Sequence, residues 1–317
     1  MTSTRKAPGC RLWLALVLPG AICSGQALPA PGSDASALVR RAVANHFVQQ
    51  AAHQPERFDL HRRDERRNVV REIMETPQGD VAMLVAVNGG PLSPAGQQIE
   101  LDRLHALAAN PALQEHRRKN EAADQARIDK LMHILPQAFL YRYDTVVSCV
   151  INAQPVVQVP GRALPPPAPP EMSQCYHLTF TPNPKFSPPD VEAKILKGMA
   201  GEVWIEKSAE RLVRLNAHLI DDVDFGWGIV GRLDKGGTIF LEQAQISPGD
   251  WELTRMRLNF SGKALLVKAI SVRMTEEMGN YAPVPPGTDY RKAIQMLEDS
   301  SQRESGQLKS GQLKSGQ

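Results

Sequence analysis

Beyond its N-terminal leader this sequence has no apolar run approaching the roughly 20 residues that a helix needs to cross a bilayer, so the mature chain is expected to be soluble. Charge of one sign is missing as well. Thirty-seven Lys and Arg stand against 34 Asp and Glu, interspersed to a net charge of +3. That leaves no electrostatic case for a nucleic-acid partner. Motifs of enzyme chemistry are absent: there is no G-x-S-x-G, no P-loop and no C-x-x-C. The eight histidines never fall in H-x-x-x-H or H-E-x-x-H spacing, so no metal-binding helix is legible. No enzymatic activity, cofactor or metal is expected.

Cysteine is scarce, and its placement is informative. Two of the four, Cys10 and Cys23, fall in a leader. There Arg5, Lys6 and Arg11 precede the apolar run Leu12 to Ile22, and small residues follow at Ser24, Gly25 and Ala27. This order is that of a secretory signal peptide, residues 1–27, cleaved after Ala27. A lipoprotein signal acylated on Cys23 is the rival, disfavoured because Ile22 stands where a small residue is needed. A periplasmic or secreted protein follows, with Cys149 and Cys175 left to form a disulfide in an oxidising compartment.

Along the mature chain, Leu38, Ala42, Val43, Phe47 and Gln50 trace one face of a helix over Ser36 to Ala52. Three strands follow, around Phe58–Leu60, Val70–Met74 and Val81–Val87, the last two joined by the turn Pro77-Gln78-Gly79-Asp80. Ser93 with Pro94 starts a helix carrying Leu101, Leu104 and Ala108. A longer helix, from about Ala112 to Leu135, is charged in its first half. It bears the stripe Ile128, Leu131, Met132 and Leu135 in its second, and is expected to dock only by that end. Strands return at Phe139–Tyr143 and Val146–Ile151. The proline-dense segment Pro155–Pro170, within a loop at 153–173, is expected to be extended and exposed, stapled at its base by Cys149 and Cys175.

After Tyr176, Leu178 and Phe180 comes a short helix from Ser187-Pro188. Six strands follow, around Val203, Val213, Phe225, Phe240, Leu253 and Val267. Their short turns indicate an antiparallel meander and exclude parallel crossovers. Residues 283–317 lose strand pattern, allow a short helix over Tyr290 to Leu297, and end in Ser-Gly-Gln-Leu-Lys repeats expected to be disordered.

Three motifs invite chemistry and are explained more simply. Gly226-Trp227-Gly228-Ile229-Val230-Gly231 matches G-x-G-x-x-G, but a strand, not a helix, follows it, so no helix N-terminus is there to receive a phosphate. Glu202 and Glu206 flank Trp204 as a solvated strand face. The Arg62-Arg63 and Arg66-Arg67 pairs bracket Asp64-Glu65 as a charged hairpin tip.

The run Leu196-Lys197-Gly198-Met199-Ala200-Gly201-Glu202-Val203-Trp204-Ile205-Glu206, the strand Arg211 to Leu215, the strand Trp227 to Leu233, the Lys235-Gly236-Gly237 turn and the strand opening at Trp251 resemble outer-membrane lipoprotein-sorting proteins of the LolA-like superfamily. Gly90-Pro91-Leu92-Ser93 and the two helices after it look like the inserted lid region, about 93–136, of long members. The likeness spans about residues 36–282.

It implies an α+β fold: a strongly curved antiparallel half-barrel whose concave face is covered by helices and receives acyl chains. On that reading the ligand wall comprises Tyr176, Leu178, Phe180, Val203, Ile205, Val213, Leu215, Phe225, Trp227, Phe240, Met256 and Leu258. The partner is a lipid or lipoprotein acyl chain, with envelope proteins as further candidates. The alternative is an envelope interaction or stress-sensor module with a filled core.

Overall fold

The computed structural model describes residues 33–164, 166, 168–225, 231–264 and 268–314. The segment expected to be a signal peptide, Trp227, Val267 and most of the glycine motif at 226–231 lie outside the described residues.

Helix α1 (Ser33–Ala52) leads into strands β1 (Glu56–Asp64), β2 (Asn68–Met74), β3 (Val81–Val87) and the short β4 (Gly90–Pro91). Helices α2 (Pro94–Ala108) and α3 (Pro111–Ala138) follow, then β5 (Phe139–Val150) and β6 (Met172–Pro182). A 3-10 helix (Glu192–Gly198) precedes β7 (Met199–Glu206), β8 (Arg211–Leu219), β9 (Val223–Phe225) and β10 (Gly231–Leu233). Strands β11 (Thr238–Ser247), β12 (Asp250–Ala264) and β13 (Lys268–Pro283) complete the sheet before helix α4 (Tyr290–Lys314).

Among the described residues thirteen strands form one sheet, with main path β4-β3-β2-β1-β13-β12-β11-β8-β7-β6-β5 and β10 joining β9 to β12. Every pairing is antiparallel. The path is open, ending on β4 at one side and β5 at the other. The expected antiparallel sheet with helices is therefore present. Its meander is broken twice, where β8 pairs with β11 and where β1 pairs with β13.

Local chemistry explains several boundaries. Ser93 caps α2 by accepting from the Gly96 amide at 3.1 Å, with Pro94 at the first helical position. Gly79 adopts φ +110° in the turn between β2 and β3, a conformation that favours glycine. Asp64 accepts from the Arg66 and Arg67 amides at 2.9 and 3.0 Å and so closes the charged β1–β2 tip. The residues read as two strands over Phe139–Ile151 form the single strand β5.

Two cores result. The larger lies between the sheet and the helices α1 and α3: Leu38, Ala42 and Val43 of α1 meet Phe139, Leu178, Phe180, Val203, Ile205 and Leu219. The smaller packs α2 and α4 on β2 and β3 through Leu104, Leu107, Ile294 and Leu297 against Met74, Val81 and Met83.

Four expectations change. Within the segment expected to be a disordered tail, helix α4 spans Tyr290–Lys314, longer than the short helix the sequence allowed, and Tyr290, Ala293, Ile294 and Leu297 are buried, an i, i+3, i+4, i+7 stripe. The proline-rich segment is not wholly exposed, since Val157 and Val159 are buried against Val70 and Ala86. Ile128 lies outside the packed stripe and is 53% exposed. The charged first half of α3 is also engaged, because Glu121 accepts from the Asp80 amide at 3.3 Å.

The proline-rich segment is a strap. From β5 it passes Gln245, whose amide donates to the Ile151 carbonyl at 2.6 Å, and runs on to β13 and β2. A Cβ on Gly279 would stand 2.0 Å from the Pro155 carbonyl oxygen, so only glycine allows the strap this close. Arg162 then donates to Asp59 at 2.7 Å and Glu72 at 2.8 Å, two carboxylates with no exposed surface. Burial holds the Asp59 carboxyl above its usual range even though Arg162 opposes the shift. Cys149 and Cys175 are disulfide-bonded with Cα atoms 5.9 Å apart, tying β5 to β6 beneath the strap.

Candidate functional site

Between sheet and helices the packing leaves a cavity of about 80 Å³. Helix α1 contributes Val39, Ala42, Val43 and His46 to its wall, and α3 contributes Met132 and Leu135. The sheet contributes Phe139, Tyr141, Phe180, Val203, Ile205, Leu212, Leu215 and Leu241. Helical spacing on the covers and strand alternation beneath place these apolar side chains on facing surfaces.

Polar groups on the wall are few: His46, Arg211, Gln243 and the Tyr141 hydroxyl. Tyr141 donates to the Leu135 carbonyl at 3.0 Å. Burial and the neighbouring Arg211 charge lower the His46 pKa, so its imidazole is neutral at neutral pH. Arg211 is 4% exposed; its Nη1 donates to the Asn45 carbonyl at 2.7 Å, while its buried Nε has no acceptor.

The covers are held by different means. Arg41 of α1 grips Glu210 in the β7–β8 turn at 2.7–3.0 Å, and Asn45 donates to the Ala209 carbonyl at 3.0 Å. Across its 28 residues α3 fully buries only Ala138. It is held besides by the half-buried stripe Leu131, Met132, Ile134 and Leu135, a ring stack of His133 on Phe47 at 4.0 Å, the ion pair Lys130–Asp190, and hydrogen bonds to Asp129 from Gln50 at 3.2 Å and to Glu121 from the Asp80 amide. Pro136 interrupts the helix close to its junction with β5, where it removes one helical hydrogen bond.

Of the twelve residues expected to form the ligand wall, eight meet at this core. Leu178, Phe180, Val203 and Ile205 are buried in it, and Tyr176, Leu215, Phe225 and Leu258 pack against it. Met256 shares the register parity of Leu258, opposite Leu241 and Glu276, but joins neither core. Trp227 lies outside the described residues.

Two expectations of facing are overturned. A bulge between Trp204 and Ile205 pairs Ile205 with Leu212, so Leu212 enters the cavity. Val213 packs instead with Ile151, Cys175 and Trp251. Phe240 pairs with Asn216 and Arg257, and the Arg257 guanidinium lies over its ring at 4.0 Å. Its neighbour Leu241 faces the cavity. Glu206 is not part of a solvated face either: it is buried and accepts from the Ser173 hydroxyl and the Ala209 amide.

A second constellation lies where α1 ends. His53, just beyond the helix, is 2.6 Å from Glu75 and 3.4 Å from Glu252. His53, Asp250 and Glu252 each offer a ligand atom within 4.8 Å of the others. Gln49 donates to Asp250 at 2.8 Å, and Glu56 places its backbone amide 2.9 Å from Glu75. These residues lie at and just beyond the end of α1, at the start of β1, just past β2 and on β12, so no sequence spacing announces them. The signal was only a histidine followed by scattered acids.

No protein-family model matches the chain, and no curated protein matches it. Among solved structures, a DUF1329 family protein from Desulfovibrio piger ATCC 29098 aligns over 81% of this chain and 96% of its own, at 10% identity and a TM-score of 0.27.

Proposed function

We propose that this is an exported protein, periplasmic or secreted, that binds the acyl chain of a lipid or lipoprotein between its sheet and the covering helices α1 and α3. The observation carrying this reading is the apolar cavity beneath a helix that fully buries one residue in 28. An acyl chain needs no charged anchor, because each buried methylene contributes roughly 0.8 kcal/mol. Ligand pockets usually span about 300–1,000 Å³, so a cavity of about 80 Å³ corresponds to a closed state. Opening requires α3 to lift against its half-buried stripe and a set of polar contacts at or near the surface. The unpaired Arg211 Nε at the wall suits the carboxylate or phosphate end of such a ligand.

This reading takes the sheet as the curved half-barrel of the LolA-like resemblance, with Cys149–Cys175 compatible with an oxidising compartment. The small volume favours a second reading, an envelope interaction or sensor module whose core stays filled. Titration with a fluorescent fatty-acyl probe separates them. Saturable binding by the wild type that Phe180→Glu abolishes supports the first. No binding by either supports the second.

A further inference from the structure

We propose that His53, Asp250 and Glu252, with Glu75 and Glu56 beside them, form a binding site for a divalent transition-metal cation. Three of these residues already present ligand atoms within 4.8 Å of one another, a span that a cation with bonds of about 2.0–2.2 Å draws together with small rotamer changes. One imidazole nitrogen with several carboxylate oxygens is the donor set of Zn²⁺ or Mn²⁺; Mg²⁺ and Ca²⁺ prefer oxygen alone.

Glu56 supplies the independent observation. It is 7% exposed, and its Oε2 is buried with no hydrogen-bond donor. Its carboxyl lies within electrostatic reach of Asp250, Glu252, His53 and Glu75. A buried carboxylate oxygen left without a donor costs free energy, and a cation at the cluster would remove that cost. Four carboxyl groups, those of Glu56, Glu75, Asp250 and Glu252, are gathered around one histidine, with Arg211 as the nearby cationic side chain.

The site also stands just beyond the C-terminal end of α1, whose dipole favours a cation there. His53, Glu75 and Glu252 each keep about a quarter of their side-chain surface exposed, which leaves an entry path. A bound cation would join the end of α1 to β1, β2 and β12.

The test is calorimetric titration of the chelator-stripped protein with ZnCl2, read beside the imidazole nitrogen resonances of 15N-histidine-labelled wild type. The expected result is one Zn²⁺ per chain and a shift of the His53 nitrogens at saturation. His53→Gln and Glu252→Gln should each weaken binding at least about 10-fold, while Glu65→Gln at the distant hairpin tip changes nothing. The wild-type histidine spectrum decides the matter should a variant fail to fold. The proposal is overturned if millimolar Zn²⁺ leaves the His53 nitrogens unmoved, or if folded His53→Gln and Glu252→Gln bind as the wild type does.

Discussion

Removing Arg162 is the most informative perturbation of the strap. Arg162→Met keeps the aliphatic stem and deletes the guanidinium, so lost packing contributes little. What changes is the environment of Asp59 and Glu72, both without exposed surface. Asp59 would retain the Asn280 amide at 2.8 Å, and Glu72 would retain Arg57 at 3.2 Å. Breaking a buried ion pair by deleting one partner costs about 3–5 kcal/mol. With these residual partners the lower end applies, about 3 kcal/mol. The triple variant Arg162→Met/Asp59→Asn/Glu72→Gln removes the stranded charges and should recover to within about 1 kcal/mol of wild type, because replacing a buried ionic group outright is often near neutral.

The pH dependence has a definite sign. Burial already holds Asp59 above its ordinary range, and losing Arg162 raises it further. A carboxyl with a raised folded-state pKa loses stability as pH rises, so the deficit of Arg162→Met should be larger at pH 8 than at pH 5. Urea unfolding followed by circular dichroism, with the disulfide intact, measures both. A cost below about 1 kcal/mol, or a triple variant no more stable than the single one, would refute the reasoning.

Further outcomes follow from other contacts. Cys149→Ala/Cys175→Ala opens a crosslink spanning 26 residues, and the chain-entropy treatment gives a loss of about 3–4 kcal/mol in urea; no change in the unfolding midpoint would show that the strap needs no staple. Burial, with the charges of Glu75 and Glu121, pushes the Asp80 carboxyl up to about 7. The folded chain therefore binds an extra proton between pH ~4 and 7, and stability falls across that window. Asp80→Asn should match the wild type at or just below pH ~4 and exceed it near pH 8, by on the order of 2 kcal/mol once solvent screening is allowed for; parallel pH profiles would count against it.

The parts of this fold written in short-range pattern were legible: α1 from its apolar spacing, α2 from Ser93-Pro94, and β6 from Tyr176, Leu178 and Phe180. Facing was less so. Several strands are apolar on both faces, and choosing the more apolar parity put Val213 and Phe240 on the cavity wall, but the bulge between β7 and β8 substitutes Leu212 for Val213. On β11, which is apolar at three successive positions, Ile239 and Leu241 face inward while the more aromatic Phe240 turns out beneath two arginines. Composition hid the rest. Proline density in the strap obscured Val157, Val159 and Arg162, whose partners on β1, β2 and β3 lie roughly 70–100 residues earlier. Polar repeats after Ser305 set residues 283–317 apart from the folded domain; a short helix over Tyr290 to Leu297 was legible, but not that Tyr290, Ala293, Ile294 and Leu297 complete a core with α2, β2 and β3. The His53 cluster joins residues up to 199 positions apart, which no local spacing records.

Acyl-chain binding under α1 and α3 is tested most directly by native mass spectrometry of protein purified from the envelope of the cells that make it, with the bound fraction extracted and identified. The account predicts a wild-type population heavier than the bare chain by the mass of an acyl lipid. That population should be lost in Phe180→Glu, whose new carboxylate enters the cavity wall, with secretion unchanged. A bare-chain mass in the wild type, with no lipid in the extract, would contradict it.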